Sequence, residues 1–584
     1  MTANTRPKVL LSSAYGPYAL GAGESMHDMF ASRLSRGQGV FSMSSHCHYF
    51  GLHLIAENID CPATVLEDPH LDEFEAELAE GYDYVAFQLK SIHTERVARM
   101  IRLTRVRSPR SKIVVGGYGV GTLEDGVPGD AGGSAGYILE NAHHFCREDG
   151  VRFIRRLLGD GAQDRPITQD HLPFAGFSLR GFSRRYFRVP TILVSLGCPY
   201  GCDFCNTSAS FRRKKTRIAE PGEVHALMKR HARRLRTGTF MTLLFDEDLF
   251  QDPEYVRELG RLIRADRSGW GFKWFSFGSV RSLSRFDPEE LRDCGCFAVW
   301  IGVESALCAD RERAGDQFLG KRVGDIERIF RGLHANGIAT VASMAVGFDF
   351  HDRETVERDL DFLLRLEPTF YQVAPLVPCP GTELYRRLKG EGRLHDGYRW
   401  EDFHLWGKAM FRPKSLAREE VSEFVALAHE RLTQELGPPF LRLMENYLSA
   451  YERLAGSEDD FHRRLRGFFK AIAKYDRCTL RPIMKLGASK AVRERAAELE
   501  RRCLEILGEG SLWDRFLAAT ADWCLSRAAR KAGPNGKPAS PACDPPARWT
   551  YYHSRPGSDA VYVRKGHGPG RAKKRPSKFL GPLG

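Results

Sequence analysis

Within 584 residues there is no run of about 18 or more apolar residues, which excludes a membrane-spanning helix. The first eleven residues, Met1 to Leu11, contain no apolar core of the kind a secretory signal needs, so a cytoplasmic location is expected. No repeat at a period of about 20–50 residues occurs, which excludes solenoids and propellers. The dinucleotide fingerprint Gly-x-Gly-x-x-Gly is also missing after the early strands. What remains is 42% hydrophobic, 28% charged and 11% aromatic. That composition excludes a largely disordered chain and supplies enough apolar surface for several cores, three or four at roughly 100–200 residues per domain.

The net charge of +13 first suggests a nucleic-acid partner, but its placement argues against one. Residues 531–584 hold eleven Lys or Arg against two Asp and no Glu, a net of +9, so the rest of the chain carries only +4. The same segment contains nine Pro and eight Gly, a composition that predicts a disordered tail whose removal leaves the fold intact.

Short apolar strands are expected at 8–11, 64–66, 84–89 and 112–115, alternating with helices at 51–58 and 95–107. This spacing predicts an open parallel α/β sheet over residues 1–158, with Gly116-Gly117-Tyr118-Gly119 beyond the end of its fourth strand. A Pro- and Gly-bearing linker covers 159–188. The alternation then resumes, with strands at 191–195, 240–245, 273–277, 298–303, 340–346 and 370–374, a partial (β/α)6 barrel over 185–395. From 412 to 530 long amphipathic helices take over, with Val421, Phe424, Val425, Ala428 and Leu432 on one face.

Eleven of the fourteen Cys are scattered and read as reduced, buried thiols, Cys294, Cys296, Cys308 and Cys379 among them. The other three, Cys198, Cys202 and Cys205, fall within eight residues of a Gly- and Pro-containing loop directly after an apolar strand. A disulfide would leave one Cys over, and a structural zinc site would need a fourth ligand that no second Cys pair or close His supplies. Three soft thiolates on one loop suit an iron–sulfur cluster with one iron left open.

This Cys-x3-Cys-x2-Cys loop, with Phe204 before its last Cys, resembles that of the radical S-adenosylmethionine (SAM) enzymes. The resemblance continues in order through Leu244-Phe245-Asp246-Glu247-Asp248, Ile301-Gly302-Val303-Glu304-Ser305, Ala345-Val346-Gly347-Phe348-Asp349 and Pro378-Cys379-Pro380-Gly381-Thr382. It implies a [4Fe–4S] cluster on the three Cys, SAM cleaved reductively at its open iron to drive radical chemistry, and an electron donor such as flavodoxin or ferredoxin. Phe204 and Gly347 are assigned by the same resemblance to cofactor contacts, Asp246 and Glu247 to the SAM ammonium, and Glu304 to its ribose hydroxyls.

Residues 81–86 and 113–117 resemble the cobalamin-binding, Rossmann-type domain of a large radical SAM subgroup, which adds cobalamin to the expected cofactors. The signature Asp-x-His-x-x-Gly is not intact: the matching text is His46-Cys47-His48-Tyr49-Phe50-Gly51, with His46 in the Asp position and His48 as the candidate lower ligand. The function expected is cobalamin-dependent methyl transfer or rearrangement on a small molecule or peptide that no local motif identifies. One alternative is a tRNA methylthiotransferase, which resembles this chain in the barrel but has three further Cys in its N-terminal domain. Another is a non-catalytic RNA-binding protein whose tail aromatics Trp549, Tyr551, Tyr552 and Phe579 stack on bases.

Overall fold

A computed structural model of the chain describes residues 6–16, 34–159, 165–179, 187–235, 240–309, 321–404, 408–532, 547–553 and 561–566. The strands of the N-terminal unit are β1 (Val9–Ser12), β2 (Met43–His46), β3 (Ala63–Glu67), β4 (Tyr84–Gln88), β5 (Lys112–Gly116) and β6 (His144–Cys146). All but β2 form one parallel sheet in the order β3-β1-β4-β5-β6, with Leu10 opposite Thr64 on one side and Val85 on the other. The strands are near-continuous apolar runs because both faces are covered. Leu10, Val85 and Val115 pack under the helices 71–78, 94–107 and 134–141, while Leu11, Ala86 and Val114 pack under 50–57 and 150–157. Taken along the chain, the parallel strands are ordered 2-1-3-4-5, so the sequence of connections reverses at β1 and a ligand crevice opens beyond the strand ends there.

The expected linker is structured in part. β7 (Ala175–Leu179) and β8 (Phe187–Val189) join β2 in a small antiparallel sheet, order β2-β7-β8, that ties the first unit to the second.

The second unit is the half-barrel. After β9 (Thr191–Leu193), the chain forms β10 (Ser195–Leu196) and, on the far side of the cysteine loop, β11 (Thr216–Arg217), which pair antiparallel and hold the loop at its base. β12 (Phe240–Phe245), β13 (Phe272–Ser279), β14 (Cys296–Glu304), β15 (Ala339–Val346) and β16 (Phe370–Pro375) complete a parallel six-stranded sheet with β9 and β16 as its edges. Its outer face carries Leu244, Trp274, Val299, Ile301, Ala342 and Tyr371, all buried under helices in the largest core of the molecule. The helix 418–436 packs through Val421, Val425, Ala428 and Leu432 into the barrel core, and the helices from 439 to 532 form a third unit around Leu441, Met444, Phe469, Leu499 and Leu525.

The tail departs from its composition. β17 (Ala547–His553) and β18 (Val561–Gly566) form a hairpin that adds antiparallel to the free edge of β3, Trp549 opposite Val65 and Tyr551 opposite Ala63. These thirteen residues are ordered, against the disorder expected over 531–584, and the helix 512–532 extends past its expected end. The reason is the run Arg548-Trp549-Thr550-Tyr551, which has the aromatic and β-branched content to pair an open sheet edge. Tyr551 is buried, so its ring is closed to base stacking; Phe579 lies outside the described residues.

Five buried histidines predict acid sensitivity. Burial pushes His48, His231, His334 and His429 down to about 4 and His93 to about 3. Each is held neutral when folded but takes a proton when unfolded, so its stabilisation is full above the unfolded value of 6.5 and is lost as pH falls toward the folded value. Asp248 and Asp476, raised by burial to about 6 and about 7, act in the opposite sense, and the histidines outnumber them. Melting temperature should therefore drop between pH 7 and pH 5 (calorimetry in matched buffers), each histidine contributing on the order of 1–2 kcal/mol. An unchanged or higher melting temperature at pH 5 would contradict the burial of these rings.

Candidate functional site

The three loop cysteines follow β10 directly, and their approach depends on Gly197. This residue has φ +84, and a Cβ there would meet the Lys214 carbonyl oxygen at 2.1 Å, so only glycine lets the loop turn back against its own exit segment. Within the loop the Cys205 N–H donates to the Cys202 carbonyl at 3.0 Å, and Ser208 Oγ donates to the Cys198 carbonyl at 3.1 Å while accepting from Gly201 N at 3.0 Å. Cys198, Cys202 and Cys205 are half-buried free thiols. Burial raises all three, seconded by Cys205 at Cys202 and by nearby carboxylates at Cys198 and Cys205, bringing Cys202 to about 12 and Cys205 to about 11. Three neighbouring thiols that resist ionisation alone are the donor set a metal cluster fits, since bound metal replaces their protons. Gln251 Nε2 donates to Cys198 Sγ at 3.4 Å, a contact outside the loop that orients a sulfur.

Phe204 packs edge-on against Phe348 at 6.0 Å, beside the turn at Gly347, whose N–H donates to His351 Nδ1 at 3.0 Å. Glu304 ends β14 with φ +63 and a half-buried carboxylate 3.8 Å from Lys321 Nζ; both act electrostatically on the Cys202 thiol, so this strand end lies at the loop. The acidic end of β12 is arranged otherwise. Asp246 is buried, and its oxygens accept from Ser195 Oγ at 2.6 Å, Lys215 Nζ at 2.7 Å and Asp248 N at 2.9 Å. It ties the end of β12 to β10 and to the residue just before β11, on the two sides of the cysteine loop. Glu247 points to Tyr118, whose hydroxyl donates to it at 3.1 Å, and burial raises its carboxyl. Cys379 stands near Cys205, and burial and then that neighbour push its thiol up to about 12.

Tyr118 belongs to the first unit, on the Gly-rich turn after β5, and sequence reasoning missed it. Its carbonyl accepts from Ser210 Oγ at 3.1 Å, its ring lies 5.5 Å from Phe211, and Cys205 acts on its hydroxyl. Gly381, with φ +88 and a Cβ position 2.8 Å from the Gly121 carbonyl, donates to Asp125 at 2.7 Å and seals the same junction. A cleft of about 450 Å³ lies between the units, lined by Gly117, Tyr118 and Cys146 on one side and by Cys202 and Ser210 on the other.

At the end of β3 a second polar cluster is buried. Glu67 accepts from His48 Nδ1 at 2.9 Å, Tyr49 N at 2.9 Å and Trp549 Nε1 at 3.1 Å, with His53 Nε2 at 3.3 Å. Burial works to raise the Glu67 carboxyl, but His48 and His53 outweigh it and hold the group ionised, which makes His48 Nδ1 the donor. The hydrogen bonds of His48 to Glu67 run through Nδ1 and not Nε2. His48, His53 and Glu67 have ligand atoms within 4.8 Å of one another, the spacing of a metal-capable set.

A family model for the Radical SAM superfamily matches residues 192–363. The chain is 25% identical over 353 residues to the bacteriochlorophyllide d C-12(1)-methyltransferase of Chlorobaculum tepidum, over 60% of this chain and 75% of that protein. It is 25% identical over 246 residues to the hopanoid C-2 methylase of Rhodopseudomonas palustris, over 40% of this chain and 44% of that protein. A solved structure of the radical S-adenosylmethionine methyltransferase TsrM from Kitasatospora setae is similar at 14% identity and a TM-score of 0.49, over 81% of this chain and 99% of that one. No helix among the described residues is long and apolar enough to cross a membrane.

Proposed function

We propose that the protein, which carries a Radical SAM domain over residues 192–363, is a methyltransferase that holds cobalamin in its N-terminal unit. The observation that supports this best is the junction: the Gly-rich turn after β5 reaches the cysteine loop through Tyr118, so a ligand held at the strand ends of the first sheet faces the barrel mouth. Two relatives named as methylating enzymes favour methyl transfer over other uses of SAM.

When bound, the cluster and SAM supply an electron and a transferable methyl group, and cobalamin supplies a carrier for that group. The chain's part is ligation and orientation. Cys198, Cys202 and Cys205 would hold the cluster, Gln251 orients the first sulfur, and Glu304 with Lys321 sets the charge beside Cys202. Glu304 and Glu247 remain the carboxylates assigned to SAM, with Phe204 and Gly347 shaping its contact surface. Asp246 acts through position, because its oxygens are filled by three protein donors.

His48 is assigned to cobalt through Nε2. The carboxylate missing from the Asp-x-His-x-x-Gly text is supplied from β3 by Glu67, which fixes Nδ1–H and so leaves Nε2 as the lone-pair nitrogen. The test is anaerobic reconstitution with SAM and hydroxocobalamin, followed by gel filtration, absorbance and methyl release from labelled SAM. Wild type should retain cobalamin, and His48→Ala should retain about tenfold less or show a spectrum without a nitrogen ligand. Equal retention with an identical spectrum would mean a site with no protein ligand to cobalt. Retention by neither would remove cobalamin from the reading.

A further inference from the structure

The inner face of the half-barrel is chemically uneven. Along β12, β13 and β14 the residues that point away from the helices include Phe245, Phe275, Phe277 and Trp300, each half-buried, together with the buried Leu243 and Lys273, whereas Leu244, Ser276, Val299 and Ile301 on the other face are fully buried. Side chains alternate across a strand, so the four rings line the open lumen. Phe277 and Trp300 are direct partners in the sheet register, and Leu243 opposite Phe275 puts Phe245 beside Phe277. The ring centroids lie 5.7 Å apart for Phe245–Phe277 and 5.4 Å apart for Phe277–Trp300, the latter pair inclined by only 31°. Phe50, from the helix that starts after His48, closes the row 6.5 Å from Phe245.

The next two strands are built differently. β15 and β16 carry the half-buried Ser343, Ala345 and Gln372 on the same face, small or polar groups beside the aromatic ones. Trp300 Nε1 donates to Ser343 Oγ at 2.6 Å, and Ser343 Oγ donates in turn to Gln372 Oε1 at 3.4 Å. In that chain of donors the Gln372 amide N–H₂ is left as a donor at the edge of the wall.

We infer that the lumen takes a planar aromatic or conjugated ring, stacked on Phe245, Phe277 and Trp300 and accepting a hydrogen bond at its edge from Gln372; this rests on the reading of the barrel as a radical SAM active site. Half-buried rings in register, tilted against one another by 31–52°, offer an aromatic surface whose contact with water is unfavourable, and a ring laid against one of them gains offset-stacking contacts as well as burial. An aliphatic chain would gain burial but not the stacking, so the wall discriminates by shape.

The test uses the full-length, anaerobically reconstituted protein with three probes: L-tryptophan and protoporphyrin IX as a small and a large planar ring, and cyclohexyl-L-alanine as a non-planar group. In equilibrium dialysis at least one planar probe should bind about tenfold or more tightly than cyclohexyl-L-alanine. Phe277→Leu and Trp300→Leu should each weaken that probe about tenfold, with Trp300→Phe restoring most of it. Iron content, S-adenosylhomocysteine affinity and melting temperature should be unchanged in these variants. Cyclohexyl-L-alanine binding as well as the rings, or ring binding indifferent to both leucine variants, overturns the inference. Loss of S-adenosylhomocysteine affinity in the same variants overturns it as well, by giving the wall to the adenine of SAM. A wild type that takes up neither iron nor S-adenosylhomocysteine refutes the underlying radical SAM reading instead, and is told apart by those two measurements.

Discussion

Cys202→Ala, reconstituted anaerobically with iron and sulfide, should emerge from gel filtration without its cluster absorbance and should cleave SAM at least about a hundredfold more slowly than wild type. That loss exceeds the 10–100-fold typical of changes behind the ligands because a primary thiolate is gone. The loop has no spare donor at that position: Cys198 and Cys205 lie on either side of Cys202 in the loop, and Ser208 Oγ is committed to the Cys198 carbonyl and the Gly201 N–H. Cys379→Ala is the matched control. Its thiol stands near Cys205, so iron that survives Cys379→Ala and vanishes in Cys202→Ala distinguishes the loop from its neighbourhood. Circular dichroism and melting of the apo-proteins separate ligand loss from misfolding. Normal iron content and SAM cleavage in Cys202→Ala would refute the cluster assignment outright.

How far these features could be read in advance depended on their range along the chain. The barrel strands were legible within one or two residues because a strand buried on its helix face, such as Val299 to Val303, is an apolar run whatever lies elsewhere. The cysteine loop was legible because its three donors span eight residues. The partners that decide each acidic residue's role were not. Asp246 reads as a free carboxylate at a strand end until Ser195, 51 residues earlier, and Lys215, 31 earlier, come to fill it. Tyr118 carries no motif at all; its contact with Glu247 spans 129 residues. The broken cobalamin signature is a similar case, since the carboxylate absent at position 46 stands at Glu67 on the next strand. Averaging composition over the tail concealed the one segment in it with strand chemistry.

Truncation after Ala532 should accordingly destabilise the N-terminal unit, contrary to what the tail's Pro and Gly content predicts. Glu77 is fully buried and is met by Arg548 through Nε and a terminal nitrogen, both at 2.7 Å, while Tyr82 donates to it at 2.5 Å. Removing the hairpin leaves that carboxylate without its cation, and breaking one partner from a buried pair costs about 3–5 kcal/mol. It also strips Trp549 from Glu67 and Tyr551 from His53 Nδ1, and reopens the β3 edge. The melting transition of this unit should fall by at least about 6–12 °C, taking the lower figure of 3 kcal/mol. Arg548→Ala in the full chain should reproduce a large part of the shift, because it leaves the same carboxylate unpaired while keeping the hairpin. Since Glu67 orients His48, the truncated protein should also release cobalamin faster than Arg548→Ala does, the one effect that depends on Trp549 rather than on Arg548. Iron uptake by the cysteine loop should be spared in both, because the loop's own hydrogen bonds, to Ser208 and between Cys205 and Cys202, lie within the barrel unit. A truncated protein that melts with wild type would place the hairpin outside the folding unit and undo the account of Glu77.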